Sequence, residues 1–103
     1  MLIRDKIGEN IKNSILQNEK VKFEIVSLDD DGDFFEAIVQ KIKDEIELLH
    51  ITKSVDCLAE IVELVDWLSI SLGTTHLEDV IEHRKEKLGL YWKRHYIKDF
   101  DER

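Results

Sequence analysis

Glu60, Glu63 and Asp66 recur one helical turn apart within residues 55–72, a segment that is otherwise apolar nearly all round. Burying a carboxylate without a partner is costly, so acids in such a segment need a physical reason. In the preceding segment Glu45 lies between Ile42 and Leu49, at the i+3 and i−4 spacings that put it on their apolar stripe. If the two segments pair antiparallel about a turn centred between Thr52 and Lys53, Glu45 and Glu60 stand level, each roughly 11 Å from the turn. Two level carboxylates repel unless a cation or a proton lies between them. A hard cation that takes oxygen ligands, such as Mg²⁺, would serve. The competing reading has these acids in solvent, or paired with Lys41, Lys43 or Arg84. For Glu63 and Asp66 the two readings balance; for Glu45 and Glu60, both on packed faces, the spacing favours a site.

The elements that must position these acids are helices. Asp33 and Glu36 have the spacing of a capping box and open a predicted helix over 34–50, with Phe35, Ile38, Ile42, Ile46 and Leu49 as its buried stripe. Thr52-Lys53-Ser54 is a polar turn. The second helix, 55–72, carries Leu58, Ile61, Val62, Leu64, Val65, Trp67, Leu68 and Ile70, which predicts a central element packed on several sides and ended by Gly73. Thr75 to Glu78 reads as another capping box, opening a third helix to Leu88 with Gly89 as its stop. Upstream, Ile7, Ile11 and Ile15 form a thin helical stripe, and Val21, Phe23 and Ile25 alternate with Lys22 and Glu24 as a short strand or extended arm. The run DDDGD at 29–33 fails as a calcium loop: with Gly32 at the sixth position, Ser27 and Ile38 fall where acids are required. It reads as an acidic turn.

These elements make one mainly α domain spanning 1–103, with no proline, repeat or Gly/Ser linker to divide it. A helical hairpin of this size leaves apolar surface uncovered, which predicts a homo-oligomer. The net charge of −8, from 23 acidic against 15 basic residues, disfavours a nucleic-acid polymer or an anionic membrane as partner. The single cysteine, Cys57, fits a reducing cytoplasm and reads as a small buried apolar residue. The charged opening MLIRDKIGEN is unlike a signal peptide and no apolar run approaches a membrane span, so the expected setting is cytoplasmic. His50, His76, His83 and His95 lack ligand spacing and read as surface residues.

Four segments carry a family resemblance. Leu2 to Ile7, LIRDKI, resembles the "LVRDKIP" opening of a branch of the MazG and phosphoribosyl-ATP pyrophosphohydrolase-like proteins. Lys41 to Leu49, KIKDEIELL, resembles that branch's "KLxEExEEF"; Cys57 to Leu68, CLAEIVELVDWL, resembles "ELADVLEVIDAL". Lys85 to Arg94, KEKLGLYWKR, resembles "KxxRGGFxKR". Order and spacing match along nearly the whole chain. The resemblance implies an all-helical fold that assembles as a homodimer or homotetramer into four-helix-bundle-like structures. It also implies hydrolysis of a nucleoside triphosphate or related small nucleotide to monophosphate and pyrophosphate, with Mg²⁺ as cofactor and Mn²⁺ as its alternative. Arg4, Lys6, Lys93 and Arg94 become candidates for holding substrate phosphates.

The same resemblance locates departures. The family's E-x-x-E and E-x-x-D metal ligands correspond here to Glu45 and Leu48, and to Cys57 and Glu60. One layer of the expected site is apolar, while Glu45 and Glu60 keep the other as surviving ligands and catalytic carboxylates. Asp44 with Glu47, and Glu60 with Glu63, restore the i, i+3 acid spacing in a different rotation and stand as supporting ligands. Gly8 replaces a proline, and Leu88, Leu90 and Tyr91 alter the phosphate-contacting end. The alternative function is a catalytically inactive relative that binds nucleotide or serves as a helical oligomerisation module.

Overall fold

The computed structural model describes residues 1–10 and 24–98, as two compact units, residues 1–73 and 74 onward. The described residues are mainly helical and contain no strand. In the first unit residues 5–10 form a helix, α1, followed at 24–29 by chain without regular structure. α2 spans Asp31–Thr52 and α3 spans Val55–Ser71, joined by a two-residue turn and packed on each other as a hairpin. The stripe over Ile11 and Ile15, and the strand residues Val21 and Phe23, lie outside the described residues. None of the described helices is long and apolar enough to cross a membrane.

α2 begins three residues before the predicted start because Asp30, not Asp33, is the N-cap: its carboxylate accepts from the Asp33 backbone N–H at 3.0 Å. Gly32 makes room for this, since a Cβ there would come within 3.0 Å of Asp30 Oδ1. At the other end Lys53 takes a left-handed conformation, φ 56°, and its N–H donates to the Leu49 carbonyl at 2.8 Å. Ser54 then caps α3 by accepting from the Asp56 N–H at 3.2 Å. Two caps so close together fold the chain back sharply, which brings α3 against α2.

Ile38, Cys57 and Leu64 are the buried apolar centre of the hairpin. Phe35, Ile42 and Leu49 are half-buried beside them, as the α2 stripe requires. Ile46 departs from the expectation at 51% exposure: four residues from Ile42 on a helix, it has drifted to the flank of the interface. α3 is not covered on several sides. Its inward stripe packs on α2, whereas Val55, Leu58 and Val62, about a third of a turn away, lie exposed.

In the second unit α4 spans Leu77–Leu88. The predicted Thr75 capping box does not form: the helix starts one residue later, with His76 at the N-cap and no side-chain cap bond. Gly89, at φ 83°, ends the helix and donates its N–H to the Lys85 carbonyl at 2.8 Å. Beyond it the Arg94 N–H closes a turn on the Tyr91 carbonyl at 3.0 Å, and Tyr91, Trp92, Tyr96 and Ile97 are exposed.

Candidate functional site

Residues 1–7, the N-terminal arm of the described structure, lie along one side of the α2–α3 hairpin and line with it a cleft of about 640 Å³. Spacing from the hairpin turn orders its walls in layers. Nearest the turn comes the apolar layer of Leu48 and Cys57. Glu45 and Glu60 follow one turn on, then Lys41 and Glu63, then Ile38 and Trp67, and finally Phe34. From Glu45 outward every one of these lines the cleft, opposite Leu2, Ile3, Arg4 and Ile7 of the arm. Glu45 and Glu60, predicted to face each other, thus both line a single concavity.

Five of the charged side chains lining the cleft, Arg4, Lys41, Glu45, Glu60 and Glu63, are ion-paired. Arg4 bridges two turns of α3: Nη2 lies 2.5 Å from Glu60 Oε2 and also contacts Glu63 Oε2, and Nη1 donates to Glu63 Oε1 at 3.2 Å. This hydrogen bonding, with the attraction between the charges, holds the Glu63 carboxyl below its ordinary pKa and raises that of the Arg4 guanidinium. Lys41 Nζ stands 3.6 Å from Glu45 Oε1, one turn along α2, with both side chains largely covered. Glu60 is also mostly covered, whereas Glu63 and Arg4 are about half exposed. Phe34 and Trp67 meet edge to face at the far end, with centroids 6.1 Å apart and planes at 75°.

The remaining candidates of the first unit lie outside the cleft wall. Asp44 is exposed and accepts from Gln40 Nε2 at 2.9 Å, Glu47 and Asp66 are exposed, and none of the three lines the cleft. Lys6 is exposed on α1, beside the cleft-lining Asp5 and Ile7 but outside the wall itself. Lys93 and Arg94 belong to the second unit, exposed around its terminal turn. Cys57 is buried, with the Thr52 hydroxyl 3.8 Å from its sulfur, while Leu48 is exposed. His50, His76, His83 and His95 are exposed.

The sequence offers Lys41, Lys43 or Arg84 as partners of the α3 acids only as the alternative to a cation site, and does not offer Arg4 as the partner of Glu60 and Glu63. A contact spanning 56 and 59 residues leaves no local spacing to read. The Lys41–Glu45 pair, at i and i+4, does carry such a signal. Trp67 reads in the sequence as one of the apolar residues of a central helix and Phe34 lies outside the predicted stripe; only the tertiary arrangement makes both of them cleft walls.

Among the described residues no three His, Cys, Asp or Glu side chains converge as a group that could hold a metal ion. Glu45 and Glu60, both on the cleft wall, are the expected ligands that could hold a hard cation together with oxygens of a bound ligand. No family model, curated protein or solved structure matches the chain.

Proposed function

We propose that this protein is a small Mg²⁺-dependent nucleoside triphosphate pyrophosphohydrolase of the MazG and phosphoribosyl-ATP pyrophosphohydrolase-like group, acting with a reduced ligand set. The observation that carries this reading is the joint presence of Glu45, Glu60, Arg4 and Lys41 on one cleft, supplied by two helices and the N-terminal arm. Its volume lies within the roughly 300–1,000 Å³ usual for small-molecule sites. The four-segment resemblance supports the same chemistry, and the setting proposed is the cytoplasm.

Glu45 and Glu60 would hold the cation. When bound with the substrate, Mg²⁺ would neutralise charge developing on the phosphates and lower the pKa of the attacking water. The other roles fall to the chain itself. Lys41, beside Glu45, offers an ammonium to phosphate oxygens, and Arg4 offers a planar fork suited to two of them at once. Arg4 must exchange Glu60 and Glu63 for phosphate to do this. That exchange leaves Glu60 free to act as a ligand in the loaded site and returns the arm to its carboxylate contacts afterwards. The exposed stripe of Val55, Leu58 and Val62 supports a homodimer or homotetramer.

A second reading, a binding member without turnover, is favoured by one specific observation: Cys57 and Leu48 supply an apolar layer where the family has two acids. Pyrophosphate release from a panel of nucleoside triphosphates, with and without Mg²⁺, separates the two. Mg²⁺-dependent release that Glu45→Gln and Glu60→Gln each abolish supports hydrolysis. Silence across the panel, combined with calorimetric nucleotide binding, transfers the conclusion to the second reading.

A further inference from the structure

The cleft is chemically polar along its length. Glu45, Glu60, Lys41 and Arg4 gather toward the hairpin turn, and Phe34 and Trp67 stand at the other end. Glu60 and Trp67 lie two helical turns apart on α3, about 10 Å of axial rise. Leu64, one turn before Trp67, is buried in the hairpin, whereas Trp67 stays 48% exposed although it lines the cleft. Burying the indole deeper against α2 would remove more apolar surface from water, so its exposure leaves aromatic area available to a ligand. The edge-to-face contact with Phe34 steadies the ring while engaging only part of its surface.

We infer that Trp67 is the platform on which the cleft seats an aromatic base, with Phe34 steadying it and the ligand's phosphates directed toward Arg4, Lys41 and the Glu45–Glu60 pair. The inference rests on the nucleotide reading above and deepens it, because it assigns the two ends of the ligand to the two ends of the cleft. A nucleotide is apolar and planar at one end and polyanionic at the other, and the spacing from Trp67 to Glu60 is one its base-to-phosphate length can bridge. Stacking is tolerant of base identity, since every base has a π face. Discrimination among bases at this platform is therefore weak, and discrimination between nucleotides and bare polyphosphates is strong.

The test uses the full chain carrying Trp92→Phe, which leaves Trp67 as the only tryptophan. The probes are α,β-methylene-ATP, whose bridging carbon prevents cleavage at the scissile position, and inorganic tripolyphosphate, each with Mg²⁺. Fluorescence and calorimetry are read together. The expected result is quenching of Trp67 by the nucleotide analogue and not by tripolyphosphate. Trp67→Leu, which keeps an apolar side chain but no ring, should weaken the analogue roughly tenfold or more, while Trp67→Phe restores most of the affinity. Tripolyphosphate should bind all three proteins alike. If the analogue binds by calorimetry with unchanged fluorescence and equal affinity for Trp67→Leu, the platform is overturned and the nucleotide reading stands. If neither probe binds, the nucleotide reading falls and this inference falls with it.

Discussion

At the scale of single residues the cleft turns on one guanidinium shared by two carboxylates. Arg4 ties the arm to α3 through Glu60 and Glu63, and Glu63 is held below its ordinary pKa by that hydrogen bonding. A carboxyl whose pKa is lower folded than unfolded contributes stability that is fully present above its unfolded pKa. That contribution is lost as pH falls through the lowered, folded value. Wild type should therefore be more stable than Glu63→Gln at pH 6, with the gap narrowing as pH falls below the ordinary glutamate range. Urea melts of both proteins along a descending pH series check this, and a gap that does not narrow would point to packing rather than charge. The two residues of the layer nearest the turn make a second contrast. Leu48 is exposed, so Leu48→Glu should be tolerated and should tighten Mg²⁺ binding by adding a carboxylate one turn from Glu45. Cys57 is buried, so Cys57→Glu should destabilise by about 2–4 kcal/mol without metal, the cost of a carboxyl without a partner. Melts with and without Mg²⁺ test both, and equal responses would show that the two positions do not differ in environment. From sequence, the placing of Glu45 and Glu60 on one side of the hairpin was legible, because helical spacing and a short turn bring them to it. The cation bound to Glu60 was not, because no local rule brings residue 4 to residue 60.

At the scale of elements the hairpin depends on how its two helices stop and start. Their existence was legible in the spacing of Ile38, Ile42, Leu49, Leu64 and Leu68, and their ends were less so. The run Asp29 to Asp33 offers several equivalent caps, and the absence of a Cβ at Gly32 favours Asp30, a choice that side-chain type alone does not reveal. Thr75 and Glu78 have capping-box spacing, yet α4 starts with His76 as its cap, so spacing without the matching backbone conformation predicts nothing. Asp30→Ala should cost about 1 kcal/mol, the usual loss for an N-cap carboxylate. Lys53 is the opposite case. It holds φ 56° with a side chain that resists that conformation, and recovers part of the cost by donating from Nζ to the His50 carbonyl at 2.5 Å. Lys53→Gly should accordingly stabilise by roughly 0.5–1 kcal/mol. Thermal melts of the two variants should move in opposite directions, and a destabilised Lys53→Gly would mean that the Nζ contact outweighs the backbone strain.

At the scale of the whole molecule, the first unit has two sides with different chemistry. Both follow from the angular order of residues on α2 and α3. Viewed from the buried stripe of Ile38, Cys57 and Leu64, one side carries Lys41, Glu45, Glu60 and Trp67 and is met by the N-terminal arm. The other carries Ile46 on α2 and Leu58 and Val62 on α3, at 51%, 49% and 56% exposure. Antiparallel helices rotate in opposite senses when viewed along a common direction, which brings these three residues onto one side of the hairpin. The homo-oligomer proposed above would cover this side with a second copy of the same hairpin about a two-fold axis. Fully burying each Leu or Val side chain contributes about 1.5–3 kcal/mol, so a charge at the centre of such an interface should be decisive. Val62→Glu is expected to convert an oligomer to monomer in light scattering, while Glu47→Lys, exposed and outside the apolar stripe, leaves the mass unchanged. Because the cleft lies on the opposite side of the hairpin, Val62→Glu should also retain nucleotide binding if the cleft is complete within one chain. Loss of binding together with the loss of mass would instead mean that the second copy completes the site. A wild-type protein that is already monomeric at micromolar concentration would remove the self-association reading altogether.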